Sequence, residues 1–225
     1  APDLQAMREF LEDFGMAVFE QQGRLYGKGS DGRPFVHVTE PGEAMFLAVG
    51  FRAQNRADLE VLAAHEGVTV EPLNEPGGGA IVRLTDPDGY AIEVVADQKH
   101  DQPGALLPDQ PFNTATAKPR LRQMVRLNPT PAHVRRIGHA VLKVSDFRRS
   151  EKWYKDRFGF LTSDEVEAAK DVPLGAFMRC DRGDLPADHH TLFLAQLPGK
   201  LGILHAAFEV ANLDDLMLGH QHLKA

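Results

Sequence analysis

The sequence predicts an α+β protein of two modules, each a pair of βαβββ units whose mixed sheets curl around a cleft. Three observations carry that prediction. At 225 residues the chain exceeds a typical single domain and can bury two cores. Helical and strand-like periodicities alternate along it in one recurring order. The second half also repeats the first. Phe158-Gly159 lies 144 residues after Phe14-Gly15, and Pro198-Gly199 lies 157 after Pro41-Gly42. At that same offset of 157, Phe51, Asn55, Asp58 and Leu59 meet Phe208, Asn212, Asp215 and Leu216. The difference of 13 places an insertion in the second half, between its first helix and the PG turn.

In chain order, DLQAMREFLEDF over 3–14 sets Leu4, Met7, Phe10, Leu11 and Phe14 on one helical face, with Asp3 as N-cap and Gly15 as stop. Strands follow in MAVFEQQGRLYG, PFVHVTE and AMFLAVGFRA, then a helix in ADLEVLAAHEG and strands in VTVEPL, AIVRLTD and YAIEVVA. Prolines 103, 108, 111, 119, 129 and 131 break all periodicity and make 101–135 a linker between modules at 1–100 and 136–225. The second module reads as a strand in RRIGHAVLKVSD, a helix in FRRSEKWYKDRFGF, strands in LTSDEVE, GAFMRCD, HHTLFLAQ and GILHAAFEVAN, and a helix in DDLMLGHQHLKA. Because Ala1 opens inside a helical pattern and Ala225 falls inside another, further segments are expected outside both ends, and the second module is expected to be incomplete.

Composition narrows the partners. Apolar residues are 43% and charged ones 25%, an ordinary globular balance without low-complexity tracts. The net charge of −7 argues against nucleic acid or an anionic membrane, and the one basic cluster, 118–127, sits among prolines. Cys180 is the sole cysteine, which excludes an intrachain disulfide, fits a reducing cytoplasm and is expected to be a small buried residue. No apolar run nears the roughly 20 residues of a membrane helix, and no signal peptide opens the chain, so a soluble cytoplasmic protein is expected.

Histidines carry the chemistry. In IGHAVLKV, alternation gives Ala140, Leu142 and Val144 one sheet face and His139, Val141 and Lys143 the other. In ILHAAFEV, Leu204, Ala206, Phe208 and Val210 form the helix-side face, leaving His205 on the opposite one. His139 and His205 thus open the first strand of each unit in the second module, facing the cleft, and two neutral imidazoles there suit a divalent metal. The first-half counterpart of His205 is Ala48, so the first module is expected to hold no metal. Two histidines and one carboxylate would leave positions open for substrate. Glu93, after the DPDG turn, has its offset counterpart at position 250, beyond Ala225.

TDPDGYAIEVVA, the GH strand, the HH doublet and LHAAFEV together resemble the vicinal oxygen chelate superfamily, and within it the two-module type I extradiol catechol dioxygenases. The resemblance covers nearly the whole chain. It implies Fe(II), less often Mn(II), held by His139, His205 and a glutamate past Ala225, with the N-terminal module structural. It also implies that His190, the second of the HH doublet, is the acid–base group that moves protons during O2 insertion beside a catechol's diol, in aromatic degradation. His189 is expected to point to the opposite face as framework, and His220 and His222 to be solvated. His37, His65, His100 and His133 show no constellation. Trp153 and Tyr154 follow helical spacing and read as packing, whereas Phe177 fits either the core or an aromatic pocket. The expected partners are a small catechol, O2 and further copies of the chain in a homo-oligomer. The same fold also serves 2-oxoacid-dependent dioxygenases, glyoxalase-like isomerases and metal-free small-molecule binders; Ala48 weakens the glyoxalase option.

Overall fold

A computed structural model of the chain describes residues 1–105, 113–122 and 129–225; Pro108, Pro111 and part of the basic cluster at 118–127 lie outside the described residues. It is an α+β structure with mixed sheets, as predicted, and its described residues form two compact units.

One unit comprises 1–42, 101–136 and 209–225. Helix α1 (Leu4–Phe14) starts where the Asp3 carboxylate accepts the Ala6 N–H and stops at Gly15 in the left-handed region. Strands β1 (Ala17–Gln21) and β2 (Arg24–Lys28) form a hairpin about Gln22 and Gly23, both at positive φ, a two-residue turn whose twist matches the strands. Strand β3 (His37–Thr39) completes an antiparallel three-stranded sheet. The helix over 213–222 packs beside α1, and Ala132 lies against both: a Cβ on Gly15 would fall 1.9 Å from the Ala132 carbonyl oxygen, and one on Gly219 would fall 2.6 Å from the Ala132 methyl.

The second unit, 43–100 with 137–208, holds two complete βαβββ units with one wiring. In the first, β4 (Ala48–Arg52) crosses through α2 (Arg56–Glu66) to β5 (Glu71–Pro72), β6 (Ala80–Thr85) and β7 (Ala91–Ala96), in sheet order β4-β7-β6-β5. In the next, β8 (Arg136–Lys143) crosses through α3 (Phe147–Phe158) to β9 (Leu161–Ala169), β10 (Val172–Arg179) and β11 (Leu192–Ala195). Strand β12 (Gly202–Glu209) adds at the edge, giving β12-β8-β11-β10-β9, and α4 (Leu213–His222) follows it. In both sheets the first strand runs parallel to the last of its unit, and the helix supplies the crossover that a parallel pair requires.

Both helix-bearing faces feed one core. Leu59, Leu62, Val82, Ile92 and Val94 join Leu142, Phe147, Tyr154, Met178 and Leu194. The DPDG turn reinforces it. Asp86 accepts backbone N–H groups of Asp88 and Tyr90 and the Tyr154 hydroxyl, while Asp88 accepts the Ser145 N–H and hydroxyl and the Arg149 guanidinium at the start of α3. Trp153 and Tyr154 are packing residues, as their spacing predicts.

Several expectations change. The compact units do not coincide with 1–100 and 136–225, because the apolar faces of β4–β7 and β8–β11 bury against each other across the sequence halves. Leu204, expected under a helix, is 46% exposed, and Ala206 is exposed too: β12 is an edge strand and α4 packs beside α1. Cys180 is exposed, since it follows the end of β10, with its Sγ 3.5 Å from the Thr191 hydroxyl. No helix among the described residues is long and apolar enough to cross a membrane.

Candidate active site

Strand alternation does in space what it predicts on paper. Ala140, Leu142 and Val144 enter the core, which turns His139 to the other face of β8. Neighbouring β12 presents His205 beside it, and the two Nε2 atoms are 3.2 Å apart. Two imidazole nitrogens sharing one divalent ion, each at about 2.1 Å and near a right angle, would be about 3 Å apart, so this pair fits a metal. Burial, then the adjacent His205, lowers the His139 pKa and favours the neutral form that ligates. Among the described residues no three His, Cys, Asp or Glu side chains form a group able to hold a metal ion. On β4, Val49 and Phe51 pack into or against the core, so Ala48 takes the face that His205 takes on β12, and Glu93 pairs with Arg83.

His190 joins the pair. Its ring centroid lies 3.9 Å from that of His139 and 4.9 Å from Phe177. Burial first, then the imidazoles of His139, His189 and His205, pushes its pKa down to about 4, against a smaller upward pull from Asp188. It is therefore neutral near pH 7, with one ring nitrogen free to accept a proton.

Phe177 belongs to this face and not to the core, because Ala176 and Met178 on either side of it point inward. It stacks on Phe193 at 4.2 Å and 16°, and Leu192 and Leu194 likewise hold Phe193 outward. Lys143, also on the His139 side of β8, is buried and donates to the Pro198 carbonyl. Sequence reasoning missed the roles of Phe193, Lys143 and Asp164, although parity would have placed Phe193 and Asp164 on the face of Phe177, their partner in register.

His189 does not point to the opposite face. Strand β11 begins at Leu192, so the HH doublet precedes it and strand alternation does not apply. Its Nδ1 is 3.1 Å from His190 Nδ1, and its Nε2 is 2.7 Å from Asp164 Oδ2. Two other histidines also differ from expectation. His133 Nδ1 lies 2.8 Å from the buried Asp215 carboxylate, and His222 is half-buried with Nε2 3.0 Å from Asp13. His220 is exposed as expected; His37 meets the Thr39 hydroxyl and His65 meets Glu66.

An α+β module with parallel first and last strands and two imidazoles on the face turned away from its core has counterparts among known proteins. Residues 136–225 match the model of the Glyoxalase/Bleomycin resistance protein/Dioxygenase superfamily. The iron-dependent extradiol dioxygenase of Rhodococcus jostii (strain RHA1) is 27% identical over 246 residues, covering 97% of this chain and 72% of that protein. The 2,3-dioxygenase LapB from Pseudomonas sp. KL28 superimposes with a TM-score of 0.75 at 19% identity, over 99% of this chain and 76% of that one. The Mn(II)-bound glyoxalase from Novosphingobium aromaticivorans does so with a TM-score of 0.72 at 24% identity, and this chain spans 66% of its length. At these identities the likeness to solved structures concerns the fold.

Proposed function

We propose that this protein is an Fe(II)-dependent extradiol dioxygenase that opens a catecholic ring beside its vicinal diol, giving a semialdehyde-type product. The observation that carries this is the convergence of His139, His205 and His190, two imidazole nitrogens 3.2 Å apart with a third imidazole tilted against His139 at 3.9 Å between ring centroids. The divalent ion, when bound, supplies the Lewis-acid and redox chemistry that lets a diol react with O2. His139 and His205, with their Nε2 atoms 3.2 Å apart, would hold it. Neutral His190 takes a proton from a substrate hydroxyl and returns it as the ring opens. The Phe177–Phe193 stack offers a flat apolar wall to an aromatic ring. The iron-dependent extradiol relative supports iron, and the Mn(II)-bound glyoxalase makes manganese the alternative to load.

The test is anaerobic loading with Fe(II) or Mn(II), desalting, metal analysis, and turnover of a panel of catechols followed by the colour of the ring-opened product. His139→Ala and His205→Ala are expected to lose the metal. His190→Phe is expected to retain it and to turn over roughly 10²- to 10⁴-fold more slowly. Metal loss from His190→Phe equal to that from the other two would make His190 a ligand and overturn its assignment. No metal retained by the unaltered protein would overturn the function.

A further inference from the structure

We infer that Asp164 and His189 are positioning residues that set the tautomer of His190, an inference that rests on the acid–base role proposed for His190. Three groups lie in a hydrogen-bonded row: Asp164 Oδ2 is 2.7 Å from His189 Nε2, and His189 Nδ1 is 3.1 Å from His190 Nδ1. An ionised carboxylate only accepts, so His189 Nε2 carries a hydrogen. A neutral imidazole has one donor and one acceptor, so His189 Nδ1 is then a lone pair. That lone pair takes the hydrogen of His190 Nδ1. The nitrogen left bare on His190 is Nε2, and a base must keep one ring nitrogen bare.

The surroundings hold this row in place from two strands. Ser163, next to Asp164 on β9, donates its hydroxyl to the His189 carbonyl at 2.5 Å, and Arg179 on β10 donates to that same hydroxyl oxygen at 2.9 Å. Phe177 packs against both rings, 5.4 Å from His189 and 4.9 Å from His190. The HH doublet lies in a loop, where no strand ladder fixes its side chains, so these contacts supply the orientation. Without the row, an isolated His190 would be free to carry its hydrogen on either nitrogen.

The test reads the tautomers directly, by long-range proton–nitrogen NMR of ¹⁵N-histidine in the metal-free protein. His190 is expected as the Nδ1–H form and His189 as the Nε2–H form. His189→Phe is expected to move His190 largely to the Nε2–H form, and Asp164→Ala, a change at an exposed strand position that leaves the core intact, to move it partway. In turnover of a catechol, both variants are expected to lower kcat roughly 10- to 100-fold with KM little changed, and Asp164→Glu to restore most of the loss. His190 in the Nε2–H form in the unaltered protein, or unchanged by His189→Phe, overturns the inference. Failure of every catechol to turn over overturns the proposed function instead, and the tautomer readout still decides this one.

Discussion

At the scale of single residues the site depends on what keeps two phenyl rings flat against each other. Gly175 is one such constraint: a Cβ there would lie 2.1 Å from the Leu194 carbonyl oxygen and 3.1 Å from two ring atoms of Phe193. Gly175→Ala is therefore expected to destabilise the protein by about 1–3 kcal/mol in urea unfolding, by forcing strand and ring apart. An unchanged midpoint would show that β10 and β11 separate without cost. The same geometry explains which site residues could be read beforehand. His139 and His205 sit inside regular strands, where a period of two fixes the face. His189 and His190 sit just before a strand, where no period exists, and their arrangement follows from contacts to Asp164, Ser163 and Phe177 that are distant in sequence. Cys180 departs from expectation for a related reason: its residue type favours burial, and its position one residue past a strand end exposes it.

At the scale of elements, helix signals were the most legible. Asp3, Asn55, Asp146 and Asn212 each accept a backbone N–H three residues on, and Gly15, Gly67 and Gly159 each end a helix in the left-handed region. These are local interactions between near neighbours, so sequence suffices to find them. Strand limits were less legible, because pairing partners set them: VTVEPL contributes only Glu71–Pro72 to its sheet, and HHTLFLAQ only Leu192–Ala195. The repeated Asn caps have unlike sequels. Asp58 is exposed, whereas its counterpart Asp215 is buried, and burial pushes the Asp215 pKa up. Hydrogen bonds from the His133 side chain and from the His133 and Ala211 N–H groups outweigh that and hold it below the usual range. A carboxylate depressed by folding stabilises the fold above its unfolded pKa and loses that contribution as pH falls through its folded one. The protein is accordingly expected to lose stability from about pH 4 downward, and Asp215→Asn to be less stable at pH 6 with a shallower acid limb. An acid limb identical in slope would place the pH dependence elsewhere, for example at Glu151, whose pKa also falls because Lys155, Arg148 and Thr162 outweigh its burial.

At the scale of the molecule, the repeat fixes the order of units along the chain, and burial fixes which of them share a core. The sequence halves are similar strings, yet the core of the second compact unit draws on both. Periodicity shows that a face is apolar and is silent on which other apolar face covers it, so this grouping was not legible. Trp153, the only tryptophan, reports on it. It packs against a core cluster that contains Leu59 from the other half of the sequence, and Leu59 is fully buried there. Leu59→Ala is expected to cost about 2–5 kcal/mol and to move the unfolding midpoint seen by Trp153 fluorescence by the full amount. Its repeat counterpart Leu216 is 51% exposed, so Leu216→Ala is expected to shift the same midpoint by no more than about 0.5 kcal/mol. If Leu59→Ala instead lowered only a far-ultraviolet dichroism transition and left the Trp153 midpoint in place, the halves would unfold separately. The shared core would then contribute packing without cooperativity, and a sheet carrying His139 and His205 would owe its stability to the second half alone.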